Sequence, residues 1–216
     1  MLDLLILDLD NTIYPRESGL FAAIDDRIDL YIREVVGIGE AEADLLRQRY
    51  RDDYHLTMIG LMRHQGIEPG HYLEFVHDLP IPEYLSTDPE LDSLLESIGL
   101  PIVILTNGSR EYAGRVLDAL GVSGRIAEVI GIEETAYVPK PFPDGYHLAL
   151  APSGTEPGRA LFVDDMERNL AGARDVGLRT GLVHPSKALL PHPWDFAATE
   201  VKSLLREVSE RLSPRR

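Results

Sequence analysis

Two apolar patterns alternate along the chain. Short continuous apolar runs read as strands buried on both faces. Segments with apolar positions every three or four residues read as amphipathic helices. Leu2 to Leu7 is the first run, broken only by Asp3. Further strands are expected at Ile102 to Leu105, Glu128 to Ile132, Ala160 to Val163 and Thr180 to Val183, with a short edge strand at Trp194 to Ala197. From about Gly19 to Leu85 the pattern is helical throughout. Phe21 to Val35, Glu40 to Tyr54, Leu56 to His64 and Pro69 to Leu79 each read as a helix, with Gly37, Gly39, Gly66, Pro80 and Pro82 as breakers. Asp88-Pro89-Glu90 then opens another helix with a capping side chain, Pro at the first position and an acid in the first turn. Helices follow at Ser109 to Leu120, Pro143 to Leu150, Met166 to Val176 and Glu200 to Leu212, and Ser213 to Arg216 reads as a frayed tail.

This order predicts an α/β fold, a doubly wound parallel sheet with helices on both faces and a small all-helical cap inserted after the first strand. The core is expected over residues 1–15 and 86–216, the cap over 16–85. In such sheets ligands bind where strands end at their carboxyl edge, near the point where strand order reverses.

Four expected strand ends carry polar residues of a consistent kind. The first is followed by Asp8-Leu9-Asp10-Asn11-Thr12, the second by Thr106-Asn107-Gly108, the third by a segment leading to Lys140-Pro141, and the fourth by Asp164-Asp165, with Asn169 a helical turn on. Each alone also reads as turn or capping chemistry. Together they put several acids, a hydroxyl, glycine-flanked amides and one ammonium at one edge of one sheet. Converging carboxylates call for a hard divalent cation, and oxygen ligands alone indicate Mg²⁺. The hydroxyl, amides and ammonium make a cradle for a dianionic phosphoryl group.

Composition narrows the partners. The 216 residues carry 21 Lys and Arg against 36 Asp and Glu, a formal net charge of -15, which argues against binding a nucleic-acid polymer. A small phosphate ester remains compatible, because it needs only a local cationic site or a metal. Cysteine is absent, so thiolate nucleophiles, disulfides and sulfur-ligated zinc are excluded. No signal pattern and no membrane-length apolar run are read, and the expectation is a cytoplasmic protein with no membrane partner. The seven His residues are scattered.

The four segments, in order, resemble the motifs of the haloacid dehalogenase superfamily of phosphohydrolases, over nearly the whole chain. Leu7 to Pro15, Gly19-Leu20 and Phe162 to Asn169 resemble its pyrimidine 5′-nucleotidase branch. The superfamily resemblance implies a Rossmann-like core and a Mg²⁺-dependent phosphatase acting on a small-molecule phosphate ester. It implies that Asp8 attacks phosphorus and that Asp10 is the general acid and base. Thr106, the Asn107 backbone and Lys140 then hold the phosphoryl oxygens. Asp8, the Asp10 carbonyl, Asp165 and, through water, Asp164 bind the metal, with Asn169 in support. Asp10 argues against dehalogenation, since true dehalogenases lack that second acid. Tyr14 and His55 are candidates for substrate selection. The branch resemblance implies a pyrimidine nucleoside 5′-monophosphate as substrate. Sugar phosphates or phosphoglycolate are the alternative on the same core. A receiver-like signalling domain and a non-catalytic phosphate- or Mg²⁺-binding protein are the alternatives of a different class.

Overall fold

The computed structural model describes residues 2–212, and the tail read at 213–216 lies outside them. The chain divides into two compact units. One runs through Glu17 and resumes at Leu85; the other is Ser18–Tyr84.

The first unit is built on β1 (Leu4–Leu7), β2 (Ile102–Leu105), β3 (Glu128–Ile130), β4 (Ala160–Asp164), β5 (Arg179–Val183) and β6 (Phe196–Ala198). They form one sheet in the order β3-β2-β1-β4-β5-β6, with every neighbouring pair parallel. The central strands are short and apolar because both faces are covered. Leu4, Ile6, Val103, Leu105 and Phe162 share a core cluster with side chains from Pro143–Leu150 and Glu167–Val176. Fully burying a side chain of this size is worth roughly 1.5–3 kcal/mol. Pro89–Ile98 packs on Val201–Leu212, and Leu204 of the latter lies against Gly181 of β5. Strand order reverses at β1: the chain runs outward from β1 through β2 to β3, then returns to lay β4 on the other flank of β1.

The second unit holds the helices Leu20–Glu34, Glu40–Tyr54, Thr57–Gln65 and Pro69–His77. Arg47, buried, bonds Asp25 and Asp29 at 2.6 Å each and so ties the first two helices together. Gly60 lets the third helix lie against the Tyr50 ring, where a Cβ would stand 2.1 Å from the ring carbon. Tyr31 meets Tyr72 and Phe75 edge-on.

Several boundaries differ from the sequence expectation for local reasons. β3 stops at Ile130 because the Gly131 amide turns to Glu134 Oε2 at 2.8 Å and the Ile132 amide to the Gly108 carbonyl. The fourth helix stops at His77, where the Leu79 amide folds back on the His77 carbonyl before Pro80. The edge strand starts at Phe196, because the Thr180 amide is taken by the Asp195 carboxylate at 2.9 Å. Trp194 packs against the core cluster. Among the described residues no helix is long and apolar enough to cross a membrane.

Candidate active site

The register of the sheet places the acids. Leu7 of β1 lies beside Val163 of β4, and the Asp8 amide donates to the Val163 carbonyl at 2.9 Å. Asp8 and Asp164 therefore leave adjacent parallel strands side by side, at the point where strand order reverses. Asp8, Asp164 and Asp165 are all buried, and each offers a carboxylate oxygen within 4.8 Å of the other two. Among the described residues this is the one acid cluster compact enough to hold a metal ion.

Lys140 sits within the cluster, 3% exposed. Its Nζ donates to Asp8 Oδ1 at 2.5 Å, to Asp164 Oδ2 at 2.9 Å and to the Leu105 carbonyl at 2.9 Å. Burial alone would push this ammonium down; Asp164 and Asp8 outweigh it, so Lys140 is held above the ordinary lysine range. Asp8 also accepts from Thr12 Oγ1 at 3.0 Å. Burial drives the Asp8 carboxyl well above its usual value; Lys140 opposes this, while Asp164, Asp165 and Asp10 add to it. Asp165 is pushed up to about 6 by burial and by Asp164, against the pull of Arg16.

The two adjacent acids differ in what is left of them. Asp164 is held mainly by the protein: beside Lys140, its oxygens accept from the Met166 amide at 2.8 Å and from Asn169 Nδ2 at 3.0 Å. Asp165 takes Arg16 Nη2 at 2.8 Å on one oxygen, and that guanidinium is 58% exposed. A cavity of about 150 Å³ opens beside this pair, lined also by Asn11, His184 and Lys202. The donor set fits a hard divalent cation. It is all oxygen, and the charge of its three carboxylates is only partly offset by one buried ammonium and one exposed guanidinium. Buried carboxylates in that state are costly without a cation.

The phosphoryl-cradle candidates lie at the neighbouring strand end. Thr106, buried at the end of β2, accepts from the Gly108 amide at 2.9 Å. The Asn107 side chain clasps the Lys140 backbone, its Oδ1 accepting the Lys140 amide at 2.8 Å. Behind Lys140, Gly172 lies so close to Pro141 that a Cβ would stand 2.2 Å from the Pro141 carbonyl oxygen.

Asp10 stands on the turn after β1, followed by Asn11 at φ 59°. Tyr14 Oη donates to Asp10 Oδ1 at 2.5 Å and Tyr112 Oη to the same oxygen at 2.7 Å. Burial raises the Asp10 carboxyl, and the two phenols pull it back.

The structure thus brings Asp8, Asp10, Thr106, Asn107, Lys140, Asp164 and Asp165 to one sheet edge. Tyr14, expected among substrate-selecting residues, is 1% exposed with its hydroxyl on Asp10. His55 lies in the helical unit, ending Glu40–Tyr54 in the left-handed conformation at φ 63°. Sequence reasoning missed Arg16 and Tyr112, and assigned no contact to Thr12. Thr12 had a signal, standing four residues after Asp8. Tyr112 and Arg16 had none, since their partners lie 102 and 149 residues away.

Relatives carry related chemistry in their names. The chain is 25% identical over 186 residues to phosphate metabolism protein 8 of Saccharomyces cerevisiae, an alignment covering 79% of this chain and spanning 58% of the yeast protein. It is 30% identical over 217 residues to ribulose-1,5-bisphosphate 5-phosphatase of Halopiger xanaduensis, covering 90% of each. The fold superposes on a HAD phosphatase from Thermococcus onnurineus with a TM-score of 0.67 and 19% identity, covering 100% of both chains. Residues 2–177 match the haloacid dehalogenase-like hydrolase family, and with the parallel sheet and its strand-end residues this makes the chain a member of that family.

Proposed function

We propose that the protein is a Mg²⁺-dependent phosphomonoesterase working through an aspartyl-phosphate. The observation that carries the reading is the Lys140 ammonium bridging Asp8 and Asp164, with Asp165 beside them at the strand-order reversal.

Asp8, Asp165 and the Asp10 carbonyl would hold Mg²⁺, with Asp164 acting through water. The ion would neutralise the phosphoryl oxygens and the acids around them. Lys140, the Thr106 hydroxyl and the Asn107 amide bind the remaining phosphoryl oxygens. An Asp8 oxygen attacks phosphorus, and the ester P–O bond breaks with its electron pair going to the leaving oxygen. Asp10 gives that oxygen a proton and becomes a carboxylate. Asp10 then takes a proton from water as the water oxygen attacks phosphorus; the bond to Asp8 breaks, and inorganic phosphate leaves.

The cradle treats all monoesters alike, so selection falls to contacts with the leaving group. The reading gives that role to the helical unit, including His55, because the unit is inserted directly after the Asp8 segment. A pyrimidine nucleoside 5′-monophosphate is the substrate favoured by Leu7 to Pro15 and Phe162 to Asn169. Sugar phosphates or phosphoglycolate are the second reading, the former favoured by the relative named for a sugar bisphosphate.

Two measurements test this. Hydrolysis of p-nitrophenyl phosphate is expected with Mg²⁺ and not in chelator, and Asp8→Asn should lose at least about a thousandfold. Near-normal turnover by Asp8→Asn would sink the nucleophile assignment. A panel of UMP, CMP, AMP, GMP, phosphoglycolate and hexose phosphates ranks the substrates. A clear preference for a sugar phosphate or phosphoglycolate overturns the nucleotide reading.

A further inference from the structure

We propose that Tyr14 and Tyr112 are positioning residues that hold one oxygen of Asp10, so that the other carries the proton exchanged with the leaving group. This rests on the phosphomonoesterase reading and deepens it.

Both phenols are buried, each 1% exposed, and both reach Asp10 Oδ1. They come from different parts of the first unit. Tyr14 is fixed by the turn after β1, where the Thr12 and Ile13 amides fold onto the Leu9 carbonyl. Tyr112 is fixed at the start of Arg110–Leu120, where its amide donates to the capping Ser109 Oγ at 3.2 Å. Their hydroxyls are 3.1 Å apart. With both protons directed at Asp10, that separation is a packing contact.

One tyrosine would satisfy a buried carboxylate oxygen. Two, delivered from separate elements to the same oxygen, do more, because they fix the rotation of the carboxylate plane. Oδ1 has its acceptor capacity filled by the phenols, so protonation falls on Oδ2. When Asp10 gives up its proton to the leaving oxygen, two O–H donors already face the resulting charge. Such donors to a carboxylate are roughly twice as strong as neutral ones and need no rearrangement at the moment of transfer. The same arrangement leaves Oδ2 ready to accept the proton of water in the second half of the cycle.

The test separates positioning from simple packing. Tyr112→Phe and Tyr14→Phe each remove one hydroxyl and keep the ring. kcat/KM with Mg²⁺ is compared on p-nitrophenyl phosphate, whose leaving group needs no proton, and on β-glycerophosphate, whose alkoxide does. kcat/KM reports only the transfer to Asp8, so the later attack by water does not blur the comparison. Each variant should lose about tenfold on the alkyl ester and less than about threefold on the aryl ester, with Asp10→Asn showing the same bias more strongly. Equal losses on the two esters by both variants would overturn the proposal, even if both variants melted at lower temperature. If one variant does not fold, the other decides. Wild-type protein that hydrolyses neither ester with Mg²⁺ overturns the phosphatase reading and this inference with it. Wild type active on both, with no bias in the variants, overturns only the inference.

Discussion

Asn107 holds Lys140 by its backbone, accepting the Lys140 amide at 2.8 Å and directing Nδ2 at the Lys140 carbonyl at 3.5 Å. The residue beside Thr106 thus orients the loop that presents the ammonium, 33 positions later in the chain. Its side chain works on the protein, and its backbone N–H is the group proposed to meet the phosphoryl oxygen.

Asn107→Ala should therefore lower kcat/KM by about ten- to a hundredfold without removing any group that touches phosphorus. The accompanying loss of stability should be about 1–2 kcal/mol, the scale of a partly buried hydrogen-bonded clasp. Steady-state kinetics and denaturant melts on one preparation check both. Full activity in the variant would show that the loop orients itself.

Mg²⁺ should raise the melting temperature of the protein. A ligand at a hundredfold excess over its Kd adds about 2.7 kcal/mol to the folded state. Asp165→Asn should lose most of that shift, while Arg16→Gln should gain the shift at lower Mg²⁺, because its guanidinium competes for an Asp165 oxygen. An undiminished shift in Asp165→Asn would remove this residue from the metal site.

Gly172→Ala and Gly114→Ala should move in opposite directions. A Cβ on Gly172 meets the Pro141 carbonyl oxygen at 2.2 Å, so the Lys140-Pro141 segment must move. Stability and turnover should both fall. Gly114 stands in Arg110–Leu120 with nothing within 4 Å of its Cβ position, and alanine there should stabilise by roughly 0.5–1 kcal/mol. Thermal melts and p-nitrophenyl phosphate turnover read out both. A Gly172→Ala enzyme as active as wild type would show that Pro141 yields without moving Lys140.

Asp88 gives a pH-dependent stability whose sign is fixed. Burial alone would raise its carboxyl, but the Leu91 amide and then Lys202 hold it below its ordinary value. The folded state therefore prefers the ionised form. Its contribution is complete above about pH 4 and is lost as pH falls through the lowered folded value. Asp88→Ala should cost about 1 kcal/mol at pH 7, as a lost helix cap. The gap between variant and wild type should narrow as denaturant titrations are carried below about pH 4. A gap that stays constant would mean that packing, not ionisation, carries the effect.

The sheet was legible because its central strands are short apolar runs that end in polar residues, and the helices because Asp88, Ser109, Gly99 and Gly121 mark their ends. The acids stood out because two pairs of them follow such runs. The contacts around them were not legible. Tyr112 reads as one more apolar position of an amphipathic helix, and nothing local says that its hydroxyl meets Asp10. Arg16 reads as a solvated charge beside Pro15, and Asn107 as a turn residue before Gly108. Each acts through a partner brought close by the folded sheet, which propensity and spacing do not encode.

The pairing of Leu5 with Ile102 and of Leu7 with Ile104 joins strands separated by the whole helical insert. Closing a loop of that kind is paid in chain entropy, which grows only with the logarithm of loop length; doubling it costs about 0.6 kcal/mol. The sheet is thus nearly indifferent to how long the excursion is, although forming so distant a pairing slows folding. A lineage can lengthen, shorten or rewrite the excursion while the strands on either side keep their register. On the proposed role of the helical unit, new substrates can then be explored at little thermodynamic risk to the residues that would cut the ester.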